Sequence, residues 1–377
     1  MRIHYLTGSR ADFGLIKETL LFVDSSPNHE IGLLITGQHL LPQYGNTISD
    51  IYASGLDVLH QIPVYLDGDS PLSMGMALSS QISQLLKYWS HDRPDMVLLL
   101  GDRGEMLAGA IAAVHLGIHI GHLHGGERSG TLDESFRHAI SKLSHYHFVA
   151  TSESSSRLSE MGEDPDKIFT IGAPGLVGIS PYIRKNSSTD SLLSFYGFNE
   201  GRLSALLLFH PVVQERSQSV QQIHSIITAL LKHNFSILVL KPNSDAGGKS
   251  IENYLSSLTD NPQITLLTHL ARSEYCRLLS EVDLLVGNSS SGIIESASFG
   301  VPCLNVGSRQ NMRQRNLNTV DCLTYDIDSL YDAISRSLSL NFPPLNCYGD
   351  GNAHRNLLSV LDSLTLSQDA LSKCNSY

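Results

Sequence analysis

Short apolar runs closed by glycine and small polar residues recur along the chain. Residues 2–6, 31–36, 57–64, 96–100, 118–123, 148–150 and 168–171 read as strands. Most are apolar throughout rather than alternating, as strands buried on both faces are. Between them the spacing turns helical. Leu15, Ile16, Leu20, Leu21 and Val23 follow the first run, and helices are expected near 44–54, 75–90, 106–116, 133–144 and 153–161. A polar, turn-rich stretch at 183–202 reads as a linker. A second series follows, with strands at 203–209, 236–240, 264–267, 283–286 and 301–306 and helices at 220–233, 273–280, 296–300, 329–338 and 353–365. Strand followed by helix, twice over, predicts an α/β protein of two Rossmann-like, doubly wound domains, 1–182 and 183–352, whose strand ends face one cleft.

Composition narrows the function. The 377 residues are 41% hydrophobic and 17% charged, enough for sizeable cores. A formal charge of −11 argues against a nucleic-acid partner. It leaves room for a small anionic substrate held by a local Arg and His cluster. Five cysteines, widely spaced and all in the second half, give neither a disulfide framework nor a CxxC zinc pattern, so a reducing cytoplasm is expected. No signal peptide is expected at 1–6, and no run reaches the ~18 apolar residues of a membrane span.

The candidate chemistry sits where strands end. Gly287-Asn288-Ser289-Ser290-Ser291-Gly292-Ile293-Ile294-Glu295 follows a buried strand and opens a helix that closes on Gly300. Free N–H groups at such a helix start favour an anion, with Ser289 and Ser290 adding donors. Glu295, one turn on, is too acidic for phosphate and suits a ribose diol. An ordinary serine-capped helix is the plain alternative. Asp102 and Arg103 follow the 96–100 strand. Asp102 reads either as a tunable acid–base group or as a helix cap. Glu127 lies in a Gly-Gly turn, and Asp133 opens the next helix as proton-transfer group or N-cap. His210, before Pro211, is placed to touch a phosphate or give it a proton. Arg10, Arg103 and Arg309, each at a strand-to-turn junction, are natural phosphate forks. His122 and His124 alternate, so on a strand they share a face, and His145 and His147 repeat the spacing. A metal reading of these pairs lacks a carboxylate or cysteine at ligand spacing, and structural or phosphate-facing histidines are the commoner case.

Taken together, TGSRAD (7–12), GDR (101–103), HLHGGE (122–127), DESFRHAISKLSHYH (133–147), HP (210–211), GNSSSGIIE (287–295) and GSRQ (307–310) are specific. In this order, over about 300 residues, the chain resembles the UDP-N-acetylglucosamine 2-epimerases, and among them the hydrolysing branch that feeds bacterial sialic-acid-type sugars. The resemblance implies the B-type glycosyltransferase architecture, with UDP held mainly by the C-terminal domain and the last helix, about 353–377, packed back on the first. It implies that Ser289 and Ser290 hold the diphosphate and Glu295 the ribose, with Asn243 near the nucleotide. Arg10, Arg103, His210 and Arg309 would lie near the phosphates. Asp102, Glu127 and Asp133, with His210, become the catalytic candidates. Two positions depart from the family. Non-hydrolysing and animal relatives carry glutamate where His124 stands, which passes that acid's role to Glu127 or Asp133. Asn311-Met312-Arg313 replaces the usual Gly-Arg after residue 310.

The implied reaction removes the C2 proton of the sugar while the C1–O bond to UDP breaks, giving a 2-acetamidoglucal. Water then adds with the opposite configuration at C2, and UDP and an N-acetylmannosamine-type sugar leave. The resemblance calls for no metal or redox cofactor, no membrane, and a homo-oligomer, dimer or tetramer. The same reaction on UDP-2,4-diacetamido-2,4,6-trideoxyglucose, en route to legionaminic acid, is the alternative substrate. A non-hydrolysing epimerase, a glycosyltransferase of the same fold and a UDP-sugar-binding regulator remain rival readings.

Overall fold

The structure, a computed structural model, describes residues 1–377 except 42–46, 65–69, 130–131, 184–190, 199–200, 243–246, 269 and 377. The expected helix at 44–54 and the polar core of the linker lie partly outside the described residues.

The chain forms two compact units. The first comprises Met1–Glu127, Leu132–Gly178 and Tyr348–Tyr377; the second comprises Arg128–Thr131 and Ile179–Cys347. The first unit holds strands β1 (Arg2–Thr7), β2 (Glu30–Thr36), β3 (Asp57–Ile62), β4 (Met96–Leu100), β5 (His119–Leu123), β6 (Tyr146–Val149) and β7 (Ile168–Thr170). They pair in parallel as a seven-stranded sheet of order β3-β2-β1-β4-β5-β6-β7. The second unit holds β8 (Ser204–Leu208), β9 (Ser236–Leu240), β10 (Ile264–Leu267), β11 (Leu284–Gly287), β12 (Cys303–Val306) and β13 (Thr319–Cys322). Its order, β10-β9-β8-β11-β12-β13, repeats the same winding. In each sheet the order reverses once, between β1 and β4 and between β8 and β11. Ligands of doubly wound sheets bind outside the strand ends at that reversal.

The apolar runs explain this layering. In β4, Met96, Leu98 and Leu100 join one core with Ile3, Tyr5 and the helix Arg10–Asp24, while Val97 and Leu99 point to the opposite core under the helices Pro71–His91 and Gly104–His115. Successive side chains of a strand face opposite ways, so a strand covered on both sides must be apolar at every position. Each buried Leu of this kind is worth about 1.5–3 kcal/mol. The C-terminal helix Ala353–Ser363 packs on Arg10–Asp24, where His354 meets the Phe22 ring edge-on at 4.6 Å.

Four elements differ from the reading of the chain. The third helix starts at Pro71 rather than 75, because the Ser70 side chain accepts from Ser73 N–H at 3.1 Å and Pro71 suits a first turn. The expected helix at 296–300 is instead a helix Ser290–Ile294 followed by a 3₁₀ turn, Ser296–Phe299, that ends on Gly300 at φ 68°. The edge strand β13 and the helix Gly248–Ser256 carried too little apolar pattern to be read.

Candidate functional site

In the first unit the strand ends are built around charges already paired. After β1, Asp12 is buried and takes bonds from the N–H groups of Gly8 at 3.1 Å and Ser9 at 2.7 Å, from Ser9 Oγ at 3.0 Å and from the Thr7 hydroxyl. Burial pushes its carboxyl up and these donors pull it back. Two amides of the TGSRAD turn are therefore occupied by the protein's own carboxylate. His39 continues the network, with Nε2 3.0 Å from Thr7 Oγ1 and Nδ1 3.0 Å from Thr47 Oγ1. Arg10 is the first residue of the helix Arg10–Asp24.

After β4 the chain turns through Gly101 at φ 83°, and Asp102 follows, half-buried. Arg137, almost wholly buried on the helix Leu132–Leu143, donates from Nη2 to Asp102 Oδ2. The same helix reaches this turn a second way. His122 on β5 has Nδ1 3.0 Å from Ser141 Oγ and Nε2 2.8 Å from the Gly101 carbonyl. Burial drives its pKa down to about 3, so the ring is neutral; Nε2–H donates to the carbonyl and Nδ1 accepts from the serine. One helix thus fixes Asp102 through Arg137 and through the Ser141–His122–Gly101 relay. Asp133 sits in the first turn of this helix, half-buried. Arg103 is the N-cap of Gly104–His115 without a capping side-chain bond, and its Nε lies 3.9 Å from Glu105 Oε2. Asp102 is therefore not the cap of that helix.

His122 and His124 do not share a face. His124 has φ 61°, so the strand alternation breaks there, and its Nδ1 lies 2.5 Å from Glu127 Oε1. Both residues are buried. The turn between them is clamped: Arg157 donates to the Gly126 carbonyl at 2.5 Å, and a Cβ on Gly126 would stand 2.4 Å from Ser154 O. His145 and His147 also have separate partners. His145 Nδ1 accepts from Ile120 N–H at 3.0 Å, and His147 Nε2 bonds Glu163 at 2.8 Å. Among the described residues no group of three or more His, Cys, Asp or Glu is arranged to hold a metal ion.

In the second unit the strand ends are joined by neutral amides. Asn288, fully buried after β11, accepts His210 N–H at 2.7 Å and donates to His210 O at 2.8 Å. Its own carbonyl accepts from Arg309 Nη1 and Gln310 Nε2, both at 3.2 Å. One side chain and one peptide therefore tie together the loops after β8, β11 and β12. Gly287 makes the approach possible: at φ 135°, a Cβ there would lie 2.0 Å from Leu208 O. Ser289 caps Ser290–Ile294 without a side-chain capping bond, and both serines are half-exposed. Further out, Asn316 Nδ2 donates to Ile293 O at 2.9 Å and Asn346 Nδ2 to Ile294 O at 2.6 Å, satisfying carbonyls of the short helix. Arg315 pins the 307–315 loop through Asp321 at 2.8 Å and the carbonyls of Gln310 and Arg313 at 2.7 and 2.6 Å.

Glu295 is 2% exposed and is not a lone carboxylate, because Arg272 Nη1 donates to its Oε2 at 2.7 Å. Burial works against the Arg272 charge and the Glu295 carboxylate overcomes it, raising the Arg272 pKa. Tyr275 bonds Ser291 Oγ beside this pair, and burial lifts its phenol well above the ordinary value. Asn243 lies outside the described residues. Arg137 and Asn288 lie within motifs that the sequence reading quotes but carry no role there, and Arg272 is not singled out. Their partners stand 35, 78 and 23 residues away, and no local pattern announces them.

The strand-end residues gathered in each unit can be set beside known proteins. The family described as UDP-N-acetylglucosamine 2-epimerase matches residues 23–362. A Legionella pneumophila protein named UDP-N,N'-diacetylbacillosamine 2-epimerase (hydrolyzing) is 46% identical over 381 residues, covering 100% of this chain and 99% of its own. A Neisseria meningitidis UDP-N-acetylglucosamine 2-epimerase is 34% identical over 340 residues, 90% of this chain and 88% of its own. The crystal structure of UDP-GlcNAc 2-epimerase from Neisseria meningitidis bound to UDP-GlcNAc superposes with a TM-score of 0.79 at 18% identity, over 97% of this chain and 100% of that one, a likeness of fold. Matched along nearly its whole length by sequence and by fold, the chain is an enzyme of the UDP-N-acetylglucosamine 2-epimerase family.

Proposed function

We propose that the chain is a hydrolysing 2-epimerase of UDP-activated 2-acetamido sugars, acting in the cytoplasm. The observation that carries the reading is Asp102, a half-buried carboxylate at the sheet's reversal point held by a buried guanidinium. A weakly acidic C–H bond yields only to a base fixed within reach and shielded from bulk water. Asp102 takes the C2 proton as the C1–O electrons leave with UDP. Negative charge then grows on the diphosphate. His210, Arg309 and the helix start at Ser289 and Ser290 stabilise it, with Arg10 and Arg103 as further phosphate contacts. Glu295, held through one oxygen by Arg272, offers the other to the ribose hydroxyls. Asp133 orders water for the second step, and Glu127 belongs to the proton-transfer machinery.

The full-length relative's name favours UDP-2,4-diacetamido-2,4,6-trideoxyglucose over UDP-N-acetylglucosamine as the preferred sugar. Chromatography of each UDP-sugar with purified enzyme tests the reading. The hydrolytic reading expects stoichiometric free UDP and free sugar. A stable mixture of two epimeric UDP-sugars would make the enzyme non-hydrolysing, and UDP-sugar that raises thermal stability without being consumed would make it a binding protein.

A further inference from the structure

Inverting C2 takes one proton off one face of the sugar and returns another to the opposite face. A single rigidly held carboxylate serves one of those faces. The neighbouring strand supplies a second group. Gly101 N–H donates to Leu123 O at 2.9 Å, so Asp102 and His124 follow residues that pair across β4 and β5. His124 sits in left-handed backbone at φ 61°; among the described residues only Asn234 is another non-glycine there. Such a conformation is held at a cost and concentrates at functional positions. The side chain is held as firmly: Nδ1 meets Glu127 Oε1 at 2.5 Å, Glu127 is 3% exposed, and Arg157 and Ser154 clamp the intervening turn. Among the described residues nothing bonds Nε2 of His124. A carboxylate bonded to Nδ1 fixes the ring's orientation and leaves Nε2 to face a reactant.

We infer that His124 is the second catalytic proton-transfer residue of the reaction proposed above, on which this inference rests, and that Glu127 acts through it as a positioning residue. In the hydration step the Nε2–H bond of the imidazolium breaks and a C2–H bond forms on the glucal. A water oxygen bonds C1, its surplus proton goes to solvent, and the neutral ring regains a proton from solvent. His122, on β5 two residues earlier, is excluded from the role because both its nitrogens are engaged.

The test separates the two half-reactions with full-length enzyme and UDP-2,4-diacetamido-2,4,6-trideoxyglucose. His124→Gly is chosen because φ 61° suits glycine, and His124→Asn because asparagine also tolerates that region. Both variants are expected to keep releasing UDP, to form the free manno sugar about 10²-fold more slowly, and to accumulate the 2-acetamidoglucal. Added imidazole is expected to restore hydration in His124→Gly. Glu127→Gln is expected to show a smaller loss with unchanged KM and the same glucal. Variants that lose UDP release and sugar formation in proportion, with no glucal and no imidazole rescue, would reduce His124 to a structural residue. Wild-type enzyme that releases no UDP from any UDP-sugar would overturn the functional reading itself, a result distinct from normal wild-type turnover with unaffected variants.

Discussion

The two units wind their sheets alike but finish the strand ends with different chemistry. In the first, every acid or imidazole of the candidate site that the structure brings into contact is matched by a charge or a fixed dipole: Asp102 by Arg137, Glu127 by His124, and His122 between a hydroxyl and a carbonyl. In the second, Asn288, Asn316 and Asn346 bond backbone without adding charge, beside the charge pairs Arg315–Asp321 and Arg272–Glu295 further along the loops. Paired charges hold a proton-transfer group in place. Neutral amides fix the loops here, with Arg309 Nη1 and Gln310 Nε2 both donating to the Asn288 carbonyl beside the helix start at Ser289. In the function proposed above, the first unit moves protons and the second holds the anion.

The largest effect should come from Asp102→Asn, which removes the base while keeping shape. Turnover should fall about 10³-fold, roughly 4 kcal/mol, with UDP affinity unchanged by calorimetry. Near-normal turnover would take the first unit's role away. Acid should next separate the units. Burial holds His4 and His145 down to about 4 and His122 to about 3, from an ordinary 6.5, so they fold neutral. The unfolded chain binds those protons first, and stability falls as pH drops below about 6.5. Glu163 adds to this. Burial opposes its charge, but His147, Lys142 and Lys373 hold it to about 2 from 4.5, so its contribution is present above 4.5 and lost as pH falls toward 2. In the second unit the strongly shifted groups include thiols and phenols, such as Cys276 and Cys303 raised to about 12 by burial, which stay neutral in acid, and Arg272, which stays charged. Hydrogen exchange between pH 6.5 and 4 should therefore show the first unit opening earlier; simultaneous opening would contradict the assignment. A smaller effect is expected from Asn288→Ala, which deletes both bonds to the His210 backbone. About 1–3 kcal/mol of stability and roughly tenfold in UDP affinity should be lost, measured by denaturant titration and calorimetry, while hydration of added glucal is spared. Ser290→Ala should be smallest, weakening UDP about two- to threefold, since a neutral hydrogen bond contributes about 0.5–1.5 kcal/mol.

The parallel architecture was legible because both faces of these sheets are covered, and the strands accordingly lack polar positions. Met96–Leu100 and Ser204–Leu208 could scarcely be read otherwise. Edge strand β13, Thr-Val-Asp-Cys, is partly exposed and carried no such signal. Gly248–Ser256 follows Gly247 at φ 102° and begins Gly-Lys-Ser, so its start resembled a loop. At the site, sequence located the residues that follow strands: Asp102, Arg103, His210, Ser289 and Ser290 are all at strand ends. It could not say what they touch. The shared-face reading of His122 and His124 failed at one backbone angle, and the capping reading of Asp102 failed because Arg103 occupies that position. Arg137, Asn288 and Arg272 act across 35, 78 and 23 residues, distances over which only the folded chain brings groups together.

The most direct test is proton NMR of the enzyme in D2O with UDP-2,4-diacetamido-2,4,6-trideoxyglucose and, in parallel, UDP-N-acetylglucosamine. The account predicts release of UDP together with a free manno-configured sugar carrying deuterium at C2, faster from the diacetamido substrate. Free sugar that keeps its C2 proton, or UDP-sugar that never exchanges it, would contradict the elimination at the centre of this account.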